Sequence, residues 1–97
     1  MEYIIYPTNE KITLPSRGYF TYGDSGESIG VIASFLACNF MGYESKTGRK
    51  IQDMLGNYFG SNLLEWVKEF QRNNGLEDDG NIGPITLETM RQYGLSL

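Results

Sequence analysis

The stretch Asn73-Asn74-Gly75-Leu76-Glu77-Asp78-Asp79-Gly80-Asn81-Ile82-Gly83-Pro84-Ile85-Thr86 follows directly on Phe70-Gln71-Arg72 and packs three acids, three glycines and a proline into fourteen residues. Three chemistries compete for it. An EF-hand calcium loop needs an acid at its first position, glycine at the sixth and a bidentate Glu at the twelfth. With Gly80 at the sixth, Gly75 falls at the first and Thr86 at the twelfth, so both strongest ligand positions are empty. An acid-base site needs carboxylates that face each other across a cleft, one of them desolvated. Glu77, Asp78 and Asp79 are instead neighbours on one turn. The turn reading accounts for every residue type. Asp79-Gly80 reverses the chain, Ile82 enters the core, Gly83 and Pro84 launch a helix, and Thr86 serves an orphan amide in its first turn.

Working outward, the chain reads as mainly α. Asp24 with Glu27 three residues on has the form of a capping box before a first helix. Ile29, Ile32, Ala33, Leu36 and Phe40 recur at helical spacing behind it, and Gly42 is the expected stop, with Tyr43 folding back. Thr47 is expected to cap a short second helix carrying Ile51, Met54 and Leu55, ended by Gly56-Asn57. A third helix is predicted from Ser61 to Asn73, with Leu63, Trp66, Val67 and Phe70 as its apolar stripe and Gly75 as its stop. A fourth begins at Pro84 and carries Leu87, Met90 and Tyr93 before Gly94. Upstream, Tyr3-Ile4-Ile5-Tyr6 and Lys11-Ile12-Thr13-Leu14 flank the polar turn Pro7-Thr8-Asn9-Glu10, the pattern of a β-hairpin. The expected organisation is an extended or β-hairpin arm over residues 1–21 and a helical domain over 22–97, with three main helices and one short one.

Composition closes several functional classes. The chain has 97 residues, enough for one small domain, and its 40% apolar content argues for a packed core. With a net charge of −4 and scattered Lys and Arg, there is no footprint for nucleic acid. No polybasic run or long apolar stretch points to a membrane. There is no histidine, which removes the usual general base and the commonest metal ligand. Cys38 is the only cysteine, so an intrachain disulfide and a cysteine zinc site are excluded. It lies in the apolar segment Ala37-Cys38-Asn39-Phe40 and is read as a buried small hydrophobe. Neither a catalytic residue, a metal site nor a cofactor is expected. The opening Met1-Glu2-Tyr3-Ile4-Ile5 lacks the basic region and long apolar run of a secretory signal. If the protein acts outside a cytoplasm, the expected routes are as a piece of a longer secreted chain or by release through a lysed membrane.

The spacing of Phe70-Gln71, Gly75-Leu76 and Asp79-Gly80-Asn81-Ile82-Gly83-Pro84-Ile85-Thr86 resembles the repeat signature of the peptidoglycan-binding domain family. These are small three-helix modules of phage endolysins and bacterial wall hydrolases. Gly23-Asp24-Ser25-Gly26-Glu27-Ser28-Ile29, Gly42-Tyr43, Phe59-Gly60 and Val67 fit the same frame, so the resemblance spans residues 22 to 95. Departures are Gly56-Asn57 in place of the first Asp-Gly, Leu63 for Thr, Trp66 for a small residue, and a longer 44–55 link. The resemblance implies a non-catalytic module that binds bacterial peptidoglycan and holds a wall hydrolase, as a domain or a subunit, on its substrate.

Wall recognition wants exposed aromatic faces with amide and carboxylate hydrogen bonders. Phe59-Gly60-Ser61-Asn62-Leu63 echoes Ile82-Gly83-Pro84-Ile85-Thr86, each an apolar plug and a glycine before a helix. These two starts offer Asn57, Tyr58 and Asn62 on one side and Asp79, Asn81 and Thr86 on the other as ligand-binding candidates. Tyr58 is equally readable as surface packing, and Asp79 and Thr86 as turn and cap residues. Trp66 shares a face with Leu63, Val67 and Phe70 and is assigned to the core; Gln71 is expected to satisfy backbone groups at its helix end. Tyr3, Tyr6, Tyr19, Phe20 and Tyr22 form a possible aromatic patch for the bundle, the wall or homo-oligomer formation. A self-assembly module on the same scaffold is therefore the rival function.

Overall fold

The computed structural model describes residues 14–95. The hairpin expected from Tyr3 to Leu14 lies outside the described residues apart from Leu14 itself. Five helices follow in order: α1 Glu27–Asn39, α2 Tyr43–Thr47, α3 Ile51–Met54, α4 Ser61–Asn73 and α5 Pro84–Gln92. The mainly helical architecture expected from the sequence is present, with three longer helices and two short ones.

Helix α4 is the axis of the domain. Leu63, Trp66, Val67 and Phe70 form one stripe with at most 1% exposure, against which α2 and α3 pack. Its end is closed by a Schellman motif: the Leu76 amide donates to Gln71 O and the Gly75 amide to Arg72 O, with Gly75 left-handed. Helix α5 ends the same way at Gly94, which places Leu95 back in the core. Ile29, Ile32, Ala33 and Leu36 of α1 join Phe59, Ile82, Leu87 and Met90 in a single buried cluster. Trp66 lies fully inside it, and its indole N–H donates to Arg49 O at 2.9 Å, fixing the link between α2 and α3 to the middle of α4.

Several local expectations are corrected. The α1 start has no capping box: Gly26 is the N-cap and no side chain caps the helix. Asp24 is drawn away by the Thr21 amide and Arg17. Helix α1 stops at Asn39, whose carboxamide turns back to Phe35 O, so Phe40 is the C-cap. Phe40 instead stacks on Tyr43 at 5.0 Å between ring centroids and meets Phe70 and Tyr93 edge-on. Gly42 is right-handed and opens α2 rather than stopping α1. Thr47 ends α2, its hydroxyl donating to Tyr43 O, and Lys50 is the N-cap of α3. The single short helix expected here is thus two, and Leu55 is exposed at the end of the second.

Cys38 is exposed, not buried. It stands roughly 200° around the helix from Leu36, so the apolar run around it wraps past the buried face. Replacing Cys38 with Ser is therefore expected to change stability by no more than about 0.5 kcal/mol in denaturant melts. Replacing Trp66 with Phe, which removes buried volume and leaves Arg49 O unpaired, should cost about 2–3 kcal/mol in the same assay.

Candidate functional site

The site is built by an irregular strap, residues 18–26, that crosses the starts of α4 and α5. Phe20 pairs with Ile82 in both directions, at 3.0 and 2.8 Å. Farther along, the Gly23 amide donates to Phe59 O, the Phe59 amide to Asp24 O and the Gly26 amide to Asn57 O, each at 2.8 Å. Each helix start is thus a plug, Phe59 or Ile82, held by backbone pairing to one strip of chain. The echo seen in the sequence is a geometric one. Gly60 and Gly83 are both extended N-caps, with φ −97° and ψ −171° in one and φ −96° and ψ −167° in the other. Neither helix is capped by a side chain, so the first-turn amides of both are left without a helical partner.

Gln71, on the last turn of α4, sets the geometry of the α5 start. It is 1% exposed. Its carboxamide nitrogen donates to Asn81 O at 2.9 Å, to Thr86 Oγ1 at 3.1 Å and to Asp79 Oδ1 at 3.3 Å. Its oxygen accepts from the Gly80 amide at 2.9 Å. Gly80 takes φ +80° against the Leu64 side chain, where a Cβ would collide with Leu64 Cδ1. Asp79 also accepts from the Asn81 amide, closing the turn. Asn81 Oδ1 accepts from the Thr21 hydroxyl at 2.7 Å, which ties the loop to the strap.

Two clefts open beside these starts. One, of about 570 Å³, lies at α5 and is lined by Tyr19, Leu76, Glu77, Pro84 and Ile85 over a polar floor of Gln71, Asp79, Asn81 and Thr86. The other, of about 370 Å³, lies at α4 between Tyr22 and Tyr58, with Asp53, Asn57, Ser61 and Asn62 in its walls. The six candidate residues therefore divide three and three. Asn57, Tyr58 and Asn62 line the α4 cleft; Asp79, Asn81 and Thr86 line the α5 cleft. No lining residue is shared, so the sequence candidates form two neighbouring sites and not one ring of contacts.

Their present bonds differ. Asn62 is already held, accepting from Arg49 and donating to Asp53 O. Thr86 caps no amide; its hydroxyl receives the Gln71 bond, and the side chain is buried. Asn57 lies across Gly30 of α1, where any Cβ would strike its Oδ1. Tyr58 is open to solvent. Residues missed as candidates include Ile85 and Leu76, and Gln71 as the floor; Tyr22 enters the sequence reading only as a member of the aromatic patch. The aromatic patch is split as well: Phe20 is buried, while Tyr19 and Tyr22 each serve a different cleft.

The acids of the loop are spent or solvated. Asp78 pairs with Arg72 at 3.1 Å, and Glu77 stands exposed on a cleft rim. Among the described residues, no three His, Cys, Asp or Glu side chains gather where they could hold a metal. The perturbed carboxyls lie elsewhere and stabilise the frame. The Thr21 amide and then Arg17 hold the Asp24 carboxyl below its ordinary value; the Asn73 carboxamide and then Arg72 do the same for Glu69.

Paired helix starts and a frame of structural hydrogen bonds define a small helical module with two open clefts, lined by amides and aromatic rings, at its surface. Residues 39–90, more than half of the chain, match the family described as "Putative peptidoglycan binding domain", and the chain belongs to that family. The match runs from the end of α1 into α5 and takes in both helix starts. Among curated proteins and among solved structures, no significant match was found.

Two outcomes follow from the frame. Replacing Gln71 with Leu leaves the Gly80 amide and Asn81 carbonyl unpaired and should cost about 2–3 kcal/mol of unfolding free energy. Asp24 and Glu69 bind a proton less readily folded than unfolded. Their stabilisation is therefore complete above the unfolded carboxyl values near pH 4 and is lost as pH falls through the lowered folded values. Thermal melts should show stability falling on acidification below about pH 4, with a shallower fall in Asp24→Asn.

Proposed function

We propose that this peptidoglycan-binding module serves, without chemistry of its own, as the targeting part of a wall hydrolase of the kind phage endolysins carry, and that the wall polymer lies over the two helix starts. Asn57, Tyr58 and Asn62 then contact it in the α4 cleft, and Asp79 and Asn81 in the α5 cleft. Thr86, turned into the Gln71 network, acts by shaping the floor. The observation that carries this reading is the matched pair of uncapped helix starts held by one strap, each opening on its own cleft. A repeating polymer suits two sites of one construction, and several modest contacts along it add to a useful affinity. Tethering gives the attached catalyst a high local concentration of substrate, which a module without chemistry of its own can supply.

Sedimentation with purified sacculi tests this. The chain should pellet with sacculi, and a Tyr58→Ala and Asn81→Ala double variant should pellet much less while keeping its helical circular dichroism. The isolated chain should not lower the turbidity of the suspension. Failure to pellet with sacculi of every common wall chemistry would overturn the reading.

A further inference from the structure

The two clefts are not chemically alike, and the difference points to what one of them holds. At α5 the cleft is mostly apolar, with Tyr19, Leu76, Pro84 and Ile85 above its polar floor. At α4 it is mostly polar: Asp53, Asn57, Ser61 and Asn62 stand beside Met54, Leu55 and Leu63, and two open tyrosines line it, Tyr22 at 54% and Tyr58 at 56% exposure. Among the described residues, the hydroxyls of both tyrosines and the carboxamide of Asn57 find no hydrogen-bond partner. Ser61 and Asn62 lie in the first turn of α4, whose amides have no capping side chain. Open aromatic surface beside unspent hydrogen-bonding groups is the make-up of a binding site, not of a packed surface.

We infer that the α4 cleft is the subsite for the glycan, binding an N-acetylated sugar ring between Tyr22 and Tyr58; this rests on the wall-binding reading above. A sugar ring has an apolar C–H face and a rim of hydroxyls. The tyrosine rings meet the face, and Asp53 and Asn57 meet hydroxyls as acceptor and as donor or acceptor. The acetamido carbonyl is neutral and finds donors in the uncapped amides of the first turn of α4. A stem-peptide carboxylate would meet the same amides, but Asp53 in the same wall opposes it. Tyr22 enters the site only because the strap carries it there. It stands three residues from Tyr19 of the other cleft, so the two Cα atoms are at most about 11 Å apart. A strand bound at α4 therefore has its next units within reach of the α5 cleft.

The test is amide-resolved NMR of the chain titrated with tetra-N-acetylglucosamine and, separately, with the free stem peptide. The oligosaccharide should shift the amides of Tyr22, Tyr58, Ser61 and Asn62. Tyr22→Ala and Tyr58→Ala should each weaken it about tenfold, with Tyr22→Phe near wild type in ring stacking and Cys38→Ser unchanged. Dispersed spectra show that each variant is folded. If sacculi pellet the chain but the oligosaccharide shifts nothing, shifts only residues at α5, or is replaced at α4 by the peptide, the glycan assignment is wrong and wall binding stands. If sacculi do not pellet the chain, both fall together.

Discussion

One buried carboxamide sets the arrangement of the α5 start. Gln71 leaves α4 at its last turn and reaches the loop backbone at Gly80 and Asn81, the turn acid Asp79 and the helix-start hydroxyl of Thr86. A carboxamide has one good acceptor and two donor hydrogens, and here all are used inside the protein. Buried polar groups of this kind stabilise only when satisfied, because an unmatched partner carries its full desolvation cost. These bonds favour the arrangement of the 77–83 loop in which Gly80 lies under Leu64 and Ile82 enters the core.

The strap extends that constraint to the second helix start. Phe20 pairs with Ile82, Thr21 with Asn81, and Asp24 and Gly26 with the segment before α4. Two short loops, each weak alone, are joined through one strip of backbone to a common core. The cost of ordering is met by the fold before any ligand arrives, which is the condition for modest polar contacts to yield useful binding. The proposed binding draws on the same economy: the surface offers amides and rings, while the carboxylates of the loop are solvated or paired.

The helical part of this was legible because it rests on periodicity and stop residues. The stripe Leu63, Trp66, Val67, Phe70 and the glycines at 75 and 94 mark α4 and the end of α5 without knowledge of any contact. The spacing from Phe70-Gln71 to Gly83-Pro84 carried the family, confirmed over residues 39–90. What failed was local capping and facing. Asp24 and Thr86 are good cap residues, yet both are taken by other partners, Asp24 by the Thr21 amide and Arg17 upstream and Thr86 by Gln71. Cys38 sits in an apolar run but on the outer side of α1. The candidate site was legible as two helix starts but not as two clefts. Tyr22 joins one only through strap pairing across more than thirty positions of sequence, and no local pattern encodes such pairing.

Native-state hydrogen exchange tests most directly whether the helix starts are prebuilt. The amides of Gly80, Ile82 and Phe59 are bonded to Gln71, Phe20 and Asp24, while those of Val67 and Phe70 report the α4 core. The account predicts that all five exchange with the free energy of global unfolding. Exchange at Gly80, Ile82 and Phe59 that is orders of magnitude faster, with α4 still protected, would contradict it.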